Sequence, residues 1–204
     1  NKALELSLFL SLPASIALLI GSEEIISALF GYGNFDENSV YNSAKALYFF
    51  SLGLPAFAMI KVFSNFFFAN QDTKSPFYIS LLSVFLNILI SIYFFKSIGF
   101  IIIPIATTIS SWFNLIALFI ILRKKDLFSF NEIFIKRFFK IIFSSISMGL
   151  FFIYLIQFFN EQMSFHQTFK SFYLVLSVFL GLSFYLIISY FIKAFQLEDI
   201  KLKY

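Results

Sequence analysis

Long apolar runs without charge constrain this chain more than any other feature. A helix needs about 20 mostly apolar residues to cross the hydrocarbon core of a bilayer. Six segments of the sequence approach or exceed this length, and only the second contains a charged residue, Lys61. The segments are residues 6–22, 46–69, 77–95, 98–122, 141–159 and 171–192. We therefore predict six membrane-spanning segments.

The composition agrees with a membrane protein. Hydrophobic residues make up 60% of the chain and charged residues 13%, against about 25% charged residues in soluble domains. Backbone groups without partners are costly in lipid, so spanning segments are helices or closed barrel strands. Barrel strands have about 10 residues and alternate in polarity, whereas these runs are longer and continuous. The predicted fold class is all-α, a polytopic membrane protein with six transmembrane helices.

The basic residues predict the orientation of the six spans. Lys and Arg concentrate in cytoplasmic loops. An even number of spans puts both ends of the segment on one side, together with Lys2, Lys74, Arg123, Lys124, Lys125, Lys136, Arg137, Lys140, Lys193, Lys201 and Lys203. The other side receives only Lys45, Lys96 and Lys170. We expect both ends in the cytoplasm. The basic loop from 123 to 140 acts either as a plain orientation signal or as a contact for anionic headgroups.

Several kinds of functional site are not expected. There is no cysteine, so disulfides and thiolate metal sites are excluded, and the single histidine, His166, cannot form a zinc site alone. We find no nucleophile–base pair, no paired carboxylates and no glycine-rich phosphate loop. The sequence therefore predicts no catalytic residue, no metal, no cofactor and no nucleic-acid partner.

A few polar residues interrupt the apolar spans and are candidates for function. A charged group inside a span usually faces a cavity or a partner, and we expect this of Lys61; the alternative is a side chain that extends to the interface. Asn65, Asn87 and Asn114 either join helices by hydrogen bonds or contact a substrate. Gln157 and the pair Ser110 and Ser111 are interpreted in the same way.

Proline and glycine mark further positions within the spans. Pro13, Pro55 and Pro104 each remove a backbone hydrogen bond and are predicted to kink their helices. Such kinks suit either alternating access or packing geometry alone. Gly149 and Gly181 each follow a serine by four residues near the middle of the last two spans. This spacing favours close helix packing, and the alternative is a shallow groove for a lipid tail.

The stretch IKVFSNFFFANQDTKSP, residues 60–76, ends the second span in a polar turn. Asp72, Thr73 and Ser75 are rival caps for the following helix, and Pro76 suits its first turn. With the preceding apolar segments, this stretch resembles the MurJ/MviN family of lipid II flippases. The resemblance covers about the first 125 residues well, and the matching positions are Lys61, Val62, Phe67, Ala69, Gln71, Asp72, Thr73, Lys74 and Pro76. Phe68 and Ser75 stand where Tyr and Thr are common.

The resemblance implies a fold and a division of the chain. The family belongs to a superfamily of exporters and has fourteen helices, in two six-helix lobes and two added C-terminal helices. Residues 1–125 would be the last four helices of the second lobe, residues 126–140 a basic cytoplasmic linker, and residues 141–204 the added pair with a short tail. The chain begins with Asn, and we expect it to be a C-terminal fragment, with the headgroup-binding residues upstream.

The function implied by the resemblance is translocation of lipid II, the peptidoglycan precursor, across the bacterial inner membrane by alternating access. Its partners would be lipid II, membrane lipids, the N-terminal lobe of the same polypeptide and the cell-wall synthesis machinery. The added pair, with Gly149 and Gly181, would border a groove for the polyprenyl tail. A headgroup role for Gln71, Asp72 or Lys74 is a second hypothesis. The alternatives are a polysaccharide or multidrug exporter of the same superfamily and a membrane scaffold that does not transport.

Overall fold

The computed structural model describes residues 1–194, which form seven α-helices and one short 3₁₀ turn. The helices are α1 (Lys2–Ile20), α2 (Ser22–Phe30), α3 (Glu37–Ala69), α4 (Lys74–Ile98), α5 (Ile102–Lys124), α6 (Glu132–Phe158) and α7 (Lys170–Phe191). Two of the basic residues used for the orientation, Lys201 and Lys203, lie outside the described residues, as does the tail predicted after the last span.

Five helical stretches of the described residues have the length and composition to cross a membrane, and the longest of them contains two of the six predicted spans. The apolar stretch Lys74–Lys124 is helical almost throughout and has 51 residues. It reverses direction at Gly99, whose φ of +75° suits glycine, and at the 3₁₀ turn Gly99–Ile101. Asn87 donates hydrogen bonds to Thr107 and Ser110 across the reversal. The stretch is therefore a hairpin of two spanning helices, α4 and α5.

Two helices begin earlier than the apolar pattern predicts. The Asp36 carboxylate accepts a hydrogen bond from the Ser39 amide at 2.9 Å and starts α3, ahead of the predicted start at residue 46. Asn131 caps α6 in the same way, through the Phe134 amide at 2.7 Å. Polar first turns extend beyond the apolar core, and hydropathy does not detect them. Residues 132–140, which fall within the predicted linker of residues 126–140, are therefore helical and belong to α6.

The six spanning helices pack as a row. Its order is α4, α5, α3, α1, α6, α7, and each helix contacts mainly its neighbours. The short helix α2, which follows the first span, packs against α3 and α7. One apolar cluster is formed mainly by α1, α3 and α5 and includes Ile79 of α4 and Phe134 of α6, and a second cluster joins α1, α6 and α7. Helix α1 therefore connects the first four spans to the final pair.

The predicted proline kinks fall in two different situations. Helices α1 and α3 run through Pro13 and Pro55 without ending. Pro104 is the third residue of α5, where an amide has no partner within the helix in any case. The predicted kink at Pro104 therefore falls in the first turn of its helix.

Candidate functional site

The polar turn between α3 and α4 is a compact helix ending. The Gln71 amide donates to the Phe68 carbonyl, and the Asp72 amide donates to the Phe67 carbonyl, both at 3.0 Å. Gln71 has a φ of +58°. These features form a Schellman motif with glutamine at the position that usually holds glycine. Gln71 is thus fixed by a backbone reversal.

Asp72 joins this turn to two neighbouring elements. Its carboxylate accepts from the Ser75 amide at 3.0 Å and the Ser75 hydroxyl at 2.6 Å, which caps α4. It also accepts from Lys125 Nζ at 2.5 Å, at the end of α5. The hydrogen bond from Lys125, together with those from Ser75, holds the pKa of Asp72 well below its usual range. The carboxylate is therefore charged at neutral pH, and it fixes the end of α5 beside the start of α4.

The remaining residues of the motif differ in exposure. Pro76 is buried in the first turn of α4, whereas Thr73 and Lys74 are exposed. The arrangement gives Asp72 and Pro76 structural contacts within the described residues. It leaves Gln71, Thr73 and Lys74 exposed at this end of the spanning helices.

Lys61 and Asn65 lie together on an exposed strip of α3. They are four residues apart, so they share one face of the helix, and both side chains are exposed. Lys61 is nine residues from the helix C-cap at Asn70, which corresponds to about 14 Å. The α3 residues that line the neighbouring apolar groove lie on another side of the helix; they are Pro55, Met59 and Phe63. The structure thus places a polar strip at depth on a face that α1 and α5 leave open.

Asn87 and Asn114 hold the α4–α5 hairpin together instead. The Asn87 amide lies 3.0 Å from the Thr107 hydroxyl and 3.3 Å from that of Ser110. The Asn114 amide is 3.5 Å from the Ser80 hydroxyl. Of the four polar candidates in the spans, the structure groups Lys61 with Asn65 and separates both from these two.

An apolar groove lies between α1, α6 and α7 and has a volume of about 220 Å³. Its wall includes Pro13 and Ala17 of α1, Phe152 of α6, and Gly181 and Tyr185 of α7. A β-carbon at Gly181 would lie 3.6 Å from Phe152 and 3.8 Å from Met148, which is ordinary contact. Gly181 therefore widens the groove without being required for packing.

Gly149, in contrast, is a packing residue. A β-carbon there would lie 2.7 Å from Ile16 and 3.1 Å from Ile20. The glycine thus allows α6 to approach α1, whereas Gly181 faces α6. The two glycines are not brought together, although the sequence pattern places them at similar depth.

A larger apolar groove of about 510 Å³ lies on the other side of α1. Leu8 and Leu12 of α1, Met59 of α3, Trp112 of α5 and Phe134 of α6 line it. Helix α1 is therefore flanked by two apolar grooves.

Two carbonyl groups released by proline are paired with hydroxyls of neighbouring helices. Pro13 cannot donate to the carbonyl of Phe9, and the Tyr185 hydroxyl donates to it at 2.7 Å. Pro55 cannot donate to the carbonyl of Ser51, and the Ser15 hydroxyl donates to it at 2.6 Å. The sequence analysis named the prolines but not these partners. The hydroxyl side chains of other spans can be identified from the sequence as possible donors to these carbonyls, although the sequence does not show which helix is the neighbour.

Two contacts of buried charged side chains were also not predicted from the sequence. Arg137 of α6 donates to Glu5 of α1 at 2.7 Å, and both side chains are largely buried. Lys170, which is 1% exposed, donates to the Gly31 carbonyl at 2.6 Å and the Phe165 carbonyl at 2.8 Å. The first contact joins α1 to α6, and the second joins α7 to the end of α2. The two contacts lie at opposite ends of the spanning helices.

Comparison with known proteins places this arrangement in a family. The family model described as "Lipid II flippase MurJ" matches residues 1–195. A probable lipid II flippase MurJ of Thermotoga maritima is 34% identical over 194 residues, which is 95% of this chain and 37% of that protein. The corresponding protein of Rhizobium tropici is 34% identical over 155 residues, 76% of this chain and 29% of the relative.

A solved structure agrees with the fold. A lipid II flippase MurJ in an inward closed conformation superimposes with a TM-score of 0.77 and 27% identity, covering 95% of this chain and 38% of that structure. The chain thus spans well under half the length of the relatives it matches.

Proposed function

Since the chain belongs to the lipid II flippase MurJ family, we propose that it serves as part of a flippase that moves lipid II across the bacterial inner membrane by alternating access. The observation that carries this proposal is the family match along residues 1–195. Its role is transport, with no covalent chemistry. The rest of the transport pathway, including the headgroup-binding residues, would come from the N-terminal lobe of the same polypeptide.

The groove between α1, α6 and α7 is the proposed site for the polyprenyl tail. Its wall is almost wholly apolar, which suits a hydrocarbon chain, because no polar group would lose water on binding. A β-carbon at Gly181 would make ordinary contacts with Phe152 and Met148, so the glycine leaves the groove wider at this point. Gly149 contributes indirectly by allowing α6 to lie close to α1. The headgroup would cross beside the exposed polar strip of Lys61 and Asn65 on α3.

Complementation in bacteria depleted of their own lipid II flippase tests this function. The intact gene should restore growth and lipid II export. The Gly181→Leu variant should lower export about tenfold, because the new side chain occupies the groove, an effect of about 1.4 kcal/mol on tail binding. Val175→Leu is the matched control, since Val175 lies on the exposed face of α7. Normal export by the Gly181→Leu variant would refute the groove assignment. Failure of the wild-type gene to restore growth would favour an exporter of other cargo or a scaffold.

The proposed orientation places both ends of the segment in the cytoplasm. Nine described basic residues lie at one end of the spanning helices, on the side where Lys125 contacts Asp72 and Arg137 contacts Glu5. The chain has no cysteine, so single cysteines at exposed positions report the side directly. We expect a membrane-impermeant maleimide to label Gln167→Cys in intact spheroplasts and to label Ser129→Cys only after lysis. The reverse pattern would invert the topology.

A further inference from the structure

The final pair of helices, α6 and α7, is attached to α1 by polar contacts at successive depths. At one end of the spanning helices, Arg137 of α6 donates to Glu5 of α1 at 2.7 Å. Four residues further along α1, the Phe9 carbonyl accepts from the Tyr185 hydroxyl of α7 at 2.7 Å. Four residues correspond to about one helical turn. Both helices of the pair are therefore held to α1, and at different depths.

Close packing between α6 and α1 continues to the other end of α1. A β-carbon at Gly149 would lie 2.7 Å from Ile16, and one at Gly21, the C-cap of α1, would lie 2.8 Å from Phe152. Surfaces that interlock this closely have discrete arrangements and do not slide continuously. A shift of α6 along α1 would bring a larger residue to a position where only glycine fits.

Lys170 attaches α7 to the end of α2, on the side opposite the pair of Arg137 and Glu5. Its buried ammonium group donates to the Gly31 carbonyl at 2.6 Å and also lies 4.3 Å from the centroid of the Tyr32 ring. A β-carbon at Gly31 would lie 3.1 Å from Lys170 Nζ, so the glycine admits the ammonium group. A movement of α7 away from α2 would remove an acceptor from a buried charge, which is costly.

Ser171, the next residue of α7, adds a second attachment to the same region. Its hydroxyl donates to the Ala28 carbonyl of α2 at 2.6 Å and lies 2.7 Å from the Tyr32 hydroxyl. Helix α2 in turn packs against α3, and only Gly21 separates it from α1. The attachment of α7 therefore extends through α2 to the first four spans.

We propose that the final pair moves together with α1 and α2 as one rigid unit during transport, and that Lys170 is the positioning residue that holds α7 in this unit. The groove between α1, α6 and α7 then keeps its shape through the transport cycle, and the conformational change takes place elsewhere in the flippase. The opposite arrangement is a final pair that swings away from α1 and α2 to open the groove. The inference rests on the proposed function, because it concerns the moving parts of a flippase.

A reversible cross-link between α2 and α7 tests the rigid unit in the intact flippase. This chain has no cysteine, so Tyr32→Cys and Ser171→Cys supply two thiols in it, and any cysteines of the upstream lobe are replaced. A short bifunctional methanethiosulfonate reagent joins the two thiols, and mass spectrometry measures the cross-linked fraction. We expect the cross-linked protein to move fluorescent lipid II across proteoliposome membranes at the same rate as the reduced protein. Loss of transport on cross-linking, with recovery after reduction, would overturn the proposal.

The same assay separates this inference from the proposed function. Transport by the wild-type protein tests the flippase assignment, whereas the change on cross-linking tests the rigid unit. Each single-cysteine variant, treated with the same reagent, controls for modification of one thiol alone. A wild-type protein that moves no lipid II would refute the proposed function, and an active variant that only the cross-link inhibits would refute the rigid unit alone.

Lys170→Met tests the positioning role, because it removes the ammonium group and keeps an unbranched side chain. Transport should fall at least about fivefold, the lower end of typical coupling between sites, since α7 is no longer held to α2. Addition of the cross-link between Tyr32→Cys and Ser171→Cys should restore transport, because it replaces the lost attachment. Lys96→Met is the matched control, since Lys96 is exposed. Unchanged transport in Lys170→Met, or a loss that the cross-link does not restore, would contradict the assignment.

Discussion

Helices α1 and α3 each contain a proline that deprives one backbone carbonyl of its helical amide. A hydroxyl from a different neighbouring helix donates to the carbonyl in each case. In α1, the carbonyl released by Pro13 accepts from Tyr185 of α7. In α3, the carbonyl released by Pro55 accepts from Ser15 of α1, and Thr108 and Trp112 of α5 donate to two more carbonyls nearby. The carbonyl released in α3 is therefore paired within the first four spans, whereas the carbonyl released in α1 accepts from a residue of the final pair.

This difference gives α1 two kinds of neighbour. On one side it is tied to α3 through Ser15, and on the other it is tied to the final pair through Glu5, Tyr185 and the close approach at Gly149. A movement of the final pair would release the Phe9 carbonyl from its Tyr185 donor, whereas the Ser51 carbonyl of α3 would keep its donor, Ser15 of α1. The comparison thus predicts that α1 is the helix whose geometry responds to the final pair.

The largest expected effect comes from the ion pair that fixes α6 to α1. Replacing Glu5 with Gln removes the carboxylate that accepts from Arg137 at 2.7 Å, and removing one partner of a largely buried ion pair costs about 3 kcal/mol. The free energy of unfolding of the intact flippase, measured by titration with SDS in mixed micelles, should fall by this amount. The exposed Glu132→Gln is the control. A loss equal to that of the control would show that α6 is not held to α1 by charge.

Tyr185→Phe removes the hydroxyl that serves α1 and keeps the ring in the groove. The Phe9 carbonyl loses the Tyr185 donor, and we expect a loss of about 1.5 kcal/mol, near the upper end for hydrogen bonds between membrane helices. The same denaturation measures it. Tyr190→Phe, on the exposed side of α7, should have no effect. If the two variants lost the same stability, the hydroxyl of Tyr185 would have no special role.

A double-mutant cycle tests whether Pro13 is the reason that Tyr185 is needed. In Pro13→Ala, the new amide donates to the Phe9 carbonyl, so Tyr185→Phe should then cost about 1 kcal/mol less than in the wild type. The measured quantity is the coupling free energy of the two substitutions. A coupling of zero would separate the tyrosine from the proline and weaken the comparison between α1 and α3.

The sequence predicted the spans because each depends on local composition. All six helices of spanning length were expected, including the two that meet at the turn at Gly99. Their polar first turns were not, since Asp36 and Asn131 lie beyond the apolar runs. Pro104 lies in the first turn of α5 because the start of α5 is set by the turn at Gly99, which hydropathy treats as the end of one run and the start of another.

The candidate sites were less accessible, since they depend on which helices are neighbours. Glu5 lies just before the first predicted span, and its partner Arg137 is far away in the sequence, so neither stood out. Lys170 was counted only as an orientation signal, yet it is buried. Tyr185 is one of ten tyrosines, and only the packing of α7 against α1 and α6 distinguishes it. Pairings across more than a hundred residues have no local signal.

Ser15→Ala tests the other side of α1. The Ser51 carbonyl loses its donor, but Thr108 and Trp112 still hold this part of α3, so we expect a loss of about 1 kcal/mol, smaller than for Tyr185→Phe. Ser11→Ala is a stringent control on the same helix, because the Ser11 hydroxyl is buried without a partner within the described residues. That variant should be neutral or slightly stabilising. Equal losses for both serines would indicate that volume matters here and the hydrogen bond does not.

The smallest expected effect belongs to Thr108. Its hydroxyl donates to the Phe49 carbonyl at 2.6 Å, but that carbonyl is not released by a proline, because Gly53 supplies the ordinary helical amide four residues later. Thr108→Val should therefore cost about 0.5 kcal/mol, and Thr108→Ser, which keeps the hydroxyl, should cost less. SDS denaturation of both variants measures the difference. A loss for Thr108→Val as large as that for Tyr185→Phe would contradict the comparison, because a carbonyl that retains its helical partner would then depend on its side-chain donor as strongly as one released by proline.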